Sequence, residues 1–149
     1  MAEHWAIKMD KFKQTVLEAI SERGLTSTMN KTKWENFVKA MRTELSFPPP
    51  YHRKDIFEEK CETFTEDVSY WGDYFEGLHP FITIEWLEVR PRITVHQGLL
   101  IKDKIKDKIE DIENEFREVL IKLKIPYKVK NNSYFIYGYT RDFNDFLNI

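Results

Sequence analysis

Phe81-Ile82-Thr83-Ile84-Glu85-Trp86-Leu87-Glu88-Val89 is the stretch whose reading decides the fold. Successive strand side chains point to opposite faces. One face therefore carries Phe81, Thr83, Glu85, Leu87 and Val89, and the other Ile82, Ile84, Trp86 and Glu88. Both sets hold large apolar residues, which predicts a central strand covered on two sides. Glu85, aligned with Phe81 and Leu87, is an acid whose placement demands a partner.

Working outward, Val68–Trp71 reads as a short strand, Gly72-Asp73 as a turn and His79-Pro80 as the stop before the central strand. Pro91, between Arg90 and Arg92, should interrupt sheet pairing or sit on an edge. Ile93–Val95 reads as a brief strand and Gln97-Gly98 as a turn. Tyr127–Lys130 and Ser133–Tyr137 alternate around Asn131-Asn132, a pair that tolerates positive φ, so this is a hairpin. Gly138 ends the run, and Arg141–Leu147 adds a last helical turn.

Helical spacing appears three times. Trp5, Met9, Phe12, Val16 and Ile20 predict a surface helix from Ala2 to Arg23, with Gly24 just past its end. Trp34, Phe37, Val38, Met41 and Leu45 predict a second, capped by Asn30 or Thr32 and ended by Pro48-Pro49-Pro50. Ile101, Ile105, Ile109, Ile112, Phe116, Val119 and Leu123 predict the longest, from about Asp103 to Lys124, with Pro126 beyond it. Tyr51–Asp67 is dominated by charge, and no element is assigned there. The pattern is α+β: a mostly antiparallel sheet of about four to five strands packed against a long amphipathic helix, with two N-terminal helices. The 149 residues form one domain, with residues 1–25 an accessory element in front.

Composition narrows the class of function. A net charge of -2 disfavours nucleic-acid binding, which needs an excess of cations to displace counterions. The single cysteine, Cys61, cannot form an internal disulfide and suits a reducing compartment. The charged N-terminus is not a signal peptide, and no stretch reaches the ~18 apolar residues of a membrane span. A cytoplasmic protein without a membrane segment is expected, and no cofactor is indicated.

No phosphate loop, CxxC pair, nucleophile elbow or HExxH is present, so no catalytic residue is assigned. His4, His52, His79 and His96 lack metal-ligand spacing, and no metal site is assigned. A three-dimensional site of His52, His79 and Asp73 is the residual possibility. Cys61 lies among acids that oppose thiolate formation, which favours a structural role. The aromatic grouping Tyr70-Trp71-Gly72-Asp73-Tyr74-Phe75, together with Trp86, has two readings. Trp71 and Phe75 either cover the central strand as core or belong to a binding surface on which Tyr74 and Asp73 are the exposed members. Glu85 and Glu88, near Arg90 and Arg92, resemble paired carboxylates. Their opposite strand faces forbid cooperation, so Glu85 paired to an arginine at the sheet rim is preferred. The Lys102–Lys108 charges alternate in sign and read as a solvated helix face.

The run Asn30-Lys31-Thr32-Lys33-Trp34, Trp71 with Phe75, Ile84-Glu85-Trp86, a helix ending at Ile125-Pro126, and Ile136-Tyr137-Gly138-Tyr139 together resemble a small bacterial domain family of unknown function. The resemblance covers residues 29–139 and implies no activity. Two functions follow from the residues. The first is a non-enzymatic protein-binding module of immunity-protein or adaptor type, using Trp71, Asp73, Tyr74, Trp86, Glu85, Arg90 and Arg92. The alternative is a small enzyme with a distributed acid/base site against the sheet.

Overall fold

The computed structural model describes residues 2–96 and 107–149, with side chains from Asp10 onward. Its elements are α1 (Ala2–Glu22), β1 (Thr26–Ser27), α2 (Lys31–Thr43), β2 (Tyr51–Asp55), β3 (Ile84–Val89), β4 (Arg92–Val95), β5 (Lys108–Asp111), α3 (Glu113–Lys122), β6 (Lys128–Lys130), β7 (Ser133–Tyr137) and β8 (Tyr139–Thr140). The main sheet is antiparallel, in the order β2-β3-β7-β6. Two small two-stranded sheets, β1-β8 and β4-β5, flank it. The class is α+β, as the periodicities imply. Among the described residues no helix is long and apolar enough to cross a membrane.

The central strand departs from its ideal pattern at one point. Phe81–Thr83 forms a 3-10 turn, and β3 begins only at Ile84. Lys54 pairs with Trp86, but Asp55 pairs with Ile84, so Glu85 is the extra residue of a β-bulge. The bulge moves Ile84 into register with Leu87 and Val89, and all three are fully buried. Strict alternation would have set Ile84 beside Trp86. Glu85 is thereby released from the core face on which the pattern had put it.

The core lies between that face and the helices. Leu87, Val89, Tyr134 and Ile136 meet Phe37 and Met41 of α2 and Phe116 and Leu120 of α3. Phe37 stands edge-on to Phe116 at 6.5 Å, and Phe116 edge-on to Tyr134 at 5.1 Å. Asn30 caps α2 by accepting the Lys33 amide at 2.8 Å; Thr32 is not the cap. Gly24, at φ 63°, ends α1 as expected. Gly138 is fixed by space: a Cβ there would stand 2.0 Å from the Ile84 carbonyl oxygen. Its amide donates to Glu85 O at 2.8 Å, which needs that close approach.

Four expectations are corrected. The long helix is only α3, ten residues, because Lys108–Asp111 pairs with β4 as a strand; Ile101 and Ile105 lie outside the described residues. Ile109 and Ile112 fit helical spacing, but Asp111 and Glu113 are drawn to Arg92 at 3.2 and 3.1 Å, and the Asp111 carboxylate accepts the Glu113 amide at 2.8 Å. The chain therefore becomes helical only after Ile112. Tyr51–Asp55, within the stretch given no element, is an edge strand. Val68–Trp71 is not a strand: these residues bend past the proline corner, and Val68 O accepts the Thr94 amide at 2.9 Å. Arg141–Leu147 is not helical, and Leu147 instead bridges to Tyr127. The expected hairpin is present, with Asn131 and Asn132 at φ 51° and 64°. The expected turn at Gln97-Gly98 lies outside the described residues.

Candidate functional site

The Tyr70–Phe75 segment is held by the proline corner. Carbonyls of prolines are free to accept because no strand or helix uses them. Pro48 O takes the Gly72 amide at 3.0 Å, Pro49 O takes the Tyr74 hydroxyl at 2.8 Å, and Pro50 O takes the Arg90 amide at 3.0 Å. Asp73 turns its carboxylate back to accept the amides of Phe75 and Glu76 at 3.0 and 3.3 Å. Tyr51 donates its hydroxyl to the Asp73 carbonyl.

This anchoring inverts the expected roles. Tyr74, only 2% exposed, is the core member, packed on Phe37 and Tyr51. Its hydroxyl is therefore not available to a partner. Burial pushes its pKa well above the ordinary range, with the neighbouring Tyr51 adding to it. Trp71 and Phe75 do not cover the central strand; each is 62% exposed. Tyr70 is exposed beside them, and the Arg42 guanidinium lies 4.7 Å from the Phe75 ring centroid. Trp71 also forms one wall of a shallow groove with Phe47, Ile93, Val95 and His96.

The charged candidates are held internally. Glu85 pairs with Arg23, at the end of α1, at 2.6 Å and with Lys54 of β2 at 3.1 Å, rather than with Arg90 or Arg92. Arg90 is buried; it donates to Asp67 at 2.9 Å and to the Asn131 carbonyl at 2.7 Å. Arg92 holds Asp111, Glu113 and the Asn132 carbonyl. Both arginines thus close the β6–β7 turn from outside, satisfying carbonyls that positive φ turns away from the ladder.

The acid/base constellation does not assemble. The His52 ring lies tilted against Phe64, with centroids 4.1 Å apart, and the His79 ring against Phe81 at 4.4 Å, beside an apolar cavity of about 480 Å³ that Trp34 and Tyr139 also line. Cys61 donates to the carbonyls of Arg53 and Glu62, and burial, then Glu58, raises its thiol pKa. Among the described residues no group of three or more His, Cys, Asp or Glu side chains is placed to hold a metal ion.

The face of the sheet away from the helices carries a second feature. Trp86, Glu88, Phe135 and Tyr137 point there, in register across β3 and β7. With Phe64 and β6 they line a cleft of about 740 Å³. Trp86 stands edge-on to Phe135 at 5.4 Å, and the Lys128 ammonium lies 5.2 Å from the Tyr137 ring centroid and 4.6 Å from that of Phe146. Sequence reasoning placed Trp86 among the candidates but passed over Phe135, Tyr137 and Lys128. Their hairpin alternation was visible; which face stays open was not.

No curated protein and no solved structure matches the chain. A family comparison does match, over residues 16–143, which is wider than the stretch carrying the motif resemblance. Several of those motifs have structural explanations: Asn30 caps α2, Glu85 is the paired bulge residue, and Gly138 allows β7 to turn against Ile84. The chain belongs to a family of unknown function, DUF6678.

Proposed function

We propose that the protein is a non-enzymatic protein-binding module, of adaptor or immunity type, that docks its partner through Trp71. The observation that supports this most is the exposure of Trp71 and Phe75 on a segment whose backbone is pinned at Pro48, Pro49 and Asp73. Large aromatic rings held rigidly in water can bury area on association with little loss of freedom, and Trp, Tyr and Arg dominate binding hot spots. Arg42 on Phe75 supplies the charged neighbour of such a surface. The adaptor and immunity forms use the same surface and differ in whether the captured partner is a toxin. The enzymatic alternative asks Glu85, Asp73, His52 and His79 to converge, and each is held by different neighbours.

The test is affinity capture from the native host's lysate with wild type and Trp71→Ala, after circular dichroism and urea unfolding of both. Because the ring is mostly in water, the substitution should shift stability by no more than ~0.5 kcal/mol. One stoichiometric protein bound by wild type and lost by the folded variant, then reconstituted from purified components, is the expected result. Equal capture by both variants, or none by either, would overturn the reading.

A further inference from the structure

We propose that the open face of the sheet binds a small organic cation, a primary ammonium or guanidinium on an apolar stem, that pairs with Glu88 and lies against Trp86 and Phe135. The argument starts from Glu88. It is 1% exposed, yet it lines the cleft of about 740 Å³. Its Oε1 accepts the Phe64 amide at 3.0 Å. Among the described residues no cation forms an ion pair with it and nothing donates to its second oxygen. Among the described residues every fully enclosed side-chain oxygen or nitrogen has a partner, so the unpartnered second oxygen is not fully enclosed, and the cleft is the space that Glu88 lines.

A carboxylate withdrawn from water needs a cation or further donors to offset its lost hydration. Glu85, three residues earlier, has both Arg23 and Lys54. Glu88 has one amide and an open space in front of it. The walls of that space are aromatic, and ring faces attract cations most where water is thinned out. The same surface already holds an ammonium in this way, with Lys128 over Tyr137 and Phe146. Phe64 already has the Arg90 guanidinium 5.9 Å from its ring centroid, so Trp86 and Phe135 are the cleft rings left for a ligand.

Neighbouring charges set the ligand's valence. His52 lies opposite Glu88 across β2 and β3, but its ring is packed at a tilt against Phe64 and makes no ion pair with the carboxylate. Lys128 and Lys130 stand at the β6 rim of the cleft, with Asp145 the one further acid lining it. A second positive charge on the ligand would meet those lysines, so a monocation fits, and any anion it carries would turn toward them.

The experiment titrates the whole chain with butylguanidinium, acetyl-Gly-Arg-Gly-amide and, as an uncharged control with a similar apolar stem, 1-pentanol, by calorimetry and by amide NMR shifts. Expected is binding of the guanidinium probes with dissociation constants on the order of 1 mM or tighter and no measurable binding of pentanol. Glu88→Gln keeps an oxygen for the Phe64 amide and should weaken binding by about tenfold or more. Trp86→Leu leaves the carboxylate and should weaken it by about threefold or more. Trp71→Ala should leave it unchanged, which separates this site from the docking surface. Tighter binding of the tripeptide would assign the cation to a polypeptide side chain, and tighter binding of butylguanidinium to a free small molecule. No binding of either cation, equal affinity in folded Glu88→Gln, or pentanol binding as well as the cations would overturn the proposal.

Discussion

Leu87, Val89, Tyr134 and Ile136 on one face of the main sheet are essentially without solvent contact, sealed beneath Phe37 and Phe116. Trp86, Phe135 and Tyr137, their immediate chain neighbours on the other face, keep part of each ring open to the cleft. The strands are the same and the apolar content is similar. What differs is what lies on top. The closed face is covered by helices whose own apolar stripes need burial, whereas the open face is edged by the Phe64 segment and by Lys128, which can stay wet. Stability should therefore concentrate on one face and ligand chemistry on the other.

The sharpest way to break that contrast is a pair of truncations. Phe116→Ala should cost about 3–5 kcal/mol in urea unfolding, the range for a fully buried phenylalanine. Phe135→Ala on the open face should cost about 1 kcal/mol, because less of its area leaves water on folding. Equal losses would mean that the open face is as structural as the covered one.

A second pair compares the two acids of β3. Glu85→Ala leaves Arg23 and Lys54 without their shared carboxylate and should cost about 2 kcal/mol, less than a fully buried pair because Arg23 is partly in water. Glu88→Gln removes a charge that has no cation, so its unfolding midpoint should stay the same or rise. A large loss from Glu88→Gln would show that the carboxylate is serving the fold rather than waiting for a ligand.

The smallest effect is visible only in alkali. Burial is the main reason that the Tyr51 and Tyr134 hydroxyls are pushed up to about 12 from an ordinary 10.0; Asp73 adds to it at Tyr51, while at Tyr134 Glu113 raises and Arg117 lowers the value. Above pH 10 the unfolded chain releases these protons while the folded chain keeps them, so folding stability is full below about 10 and falls as pH climbs toward 12. Urea midpoints measured from pH 9 to 11.5 should decline, and Tyr51→Phe should flatten the slope. A flat profile in wild type would mean that neither hydroxyl is held from water.

Local rules read directly from residues held wherever the deciding forces were local. Asn30 as a cap, Gly24 past a helix end, Asn131-Asn132 as a hairpin turn and the apolar stripe of α2 needed only their own neighbours. The family motifs were legible in the same way. Tyr51–Asp55 was not, because an edge strand can be built from His, Arg, Lys and Asp when its partner strand supplies the apolar side chains. The long helix is not legible as it stands because Ile109 and Ile112 fit helical spacing, while the pairing of Lys108–Asp111 with β4 depends on residues that arrive from elsewhere.

The candidate site divides along the same line. By itself the sequence determined that aromatics cluster at Tyr70–Phe75, that the central strand carries two acids, and that no local motif assigns an activity. Only the tertiary structure decided that Tyr74 turns in while Trp71 and Phe75 turn out, because the acceptor that fixes Tyr74 is the carbonyl of Pro49, far away in the chain. It also decided that, among the described residues, Glu85 finds two cations and Glu88 none, since a one-residue bulge and the distant Arg23 and Lys54 set that balance. Spacing along a chain fixes which way neighbours point, but which surface is covered and which charge is paired depends on what distant segments bring to it.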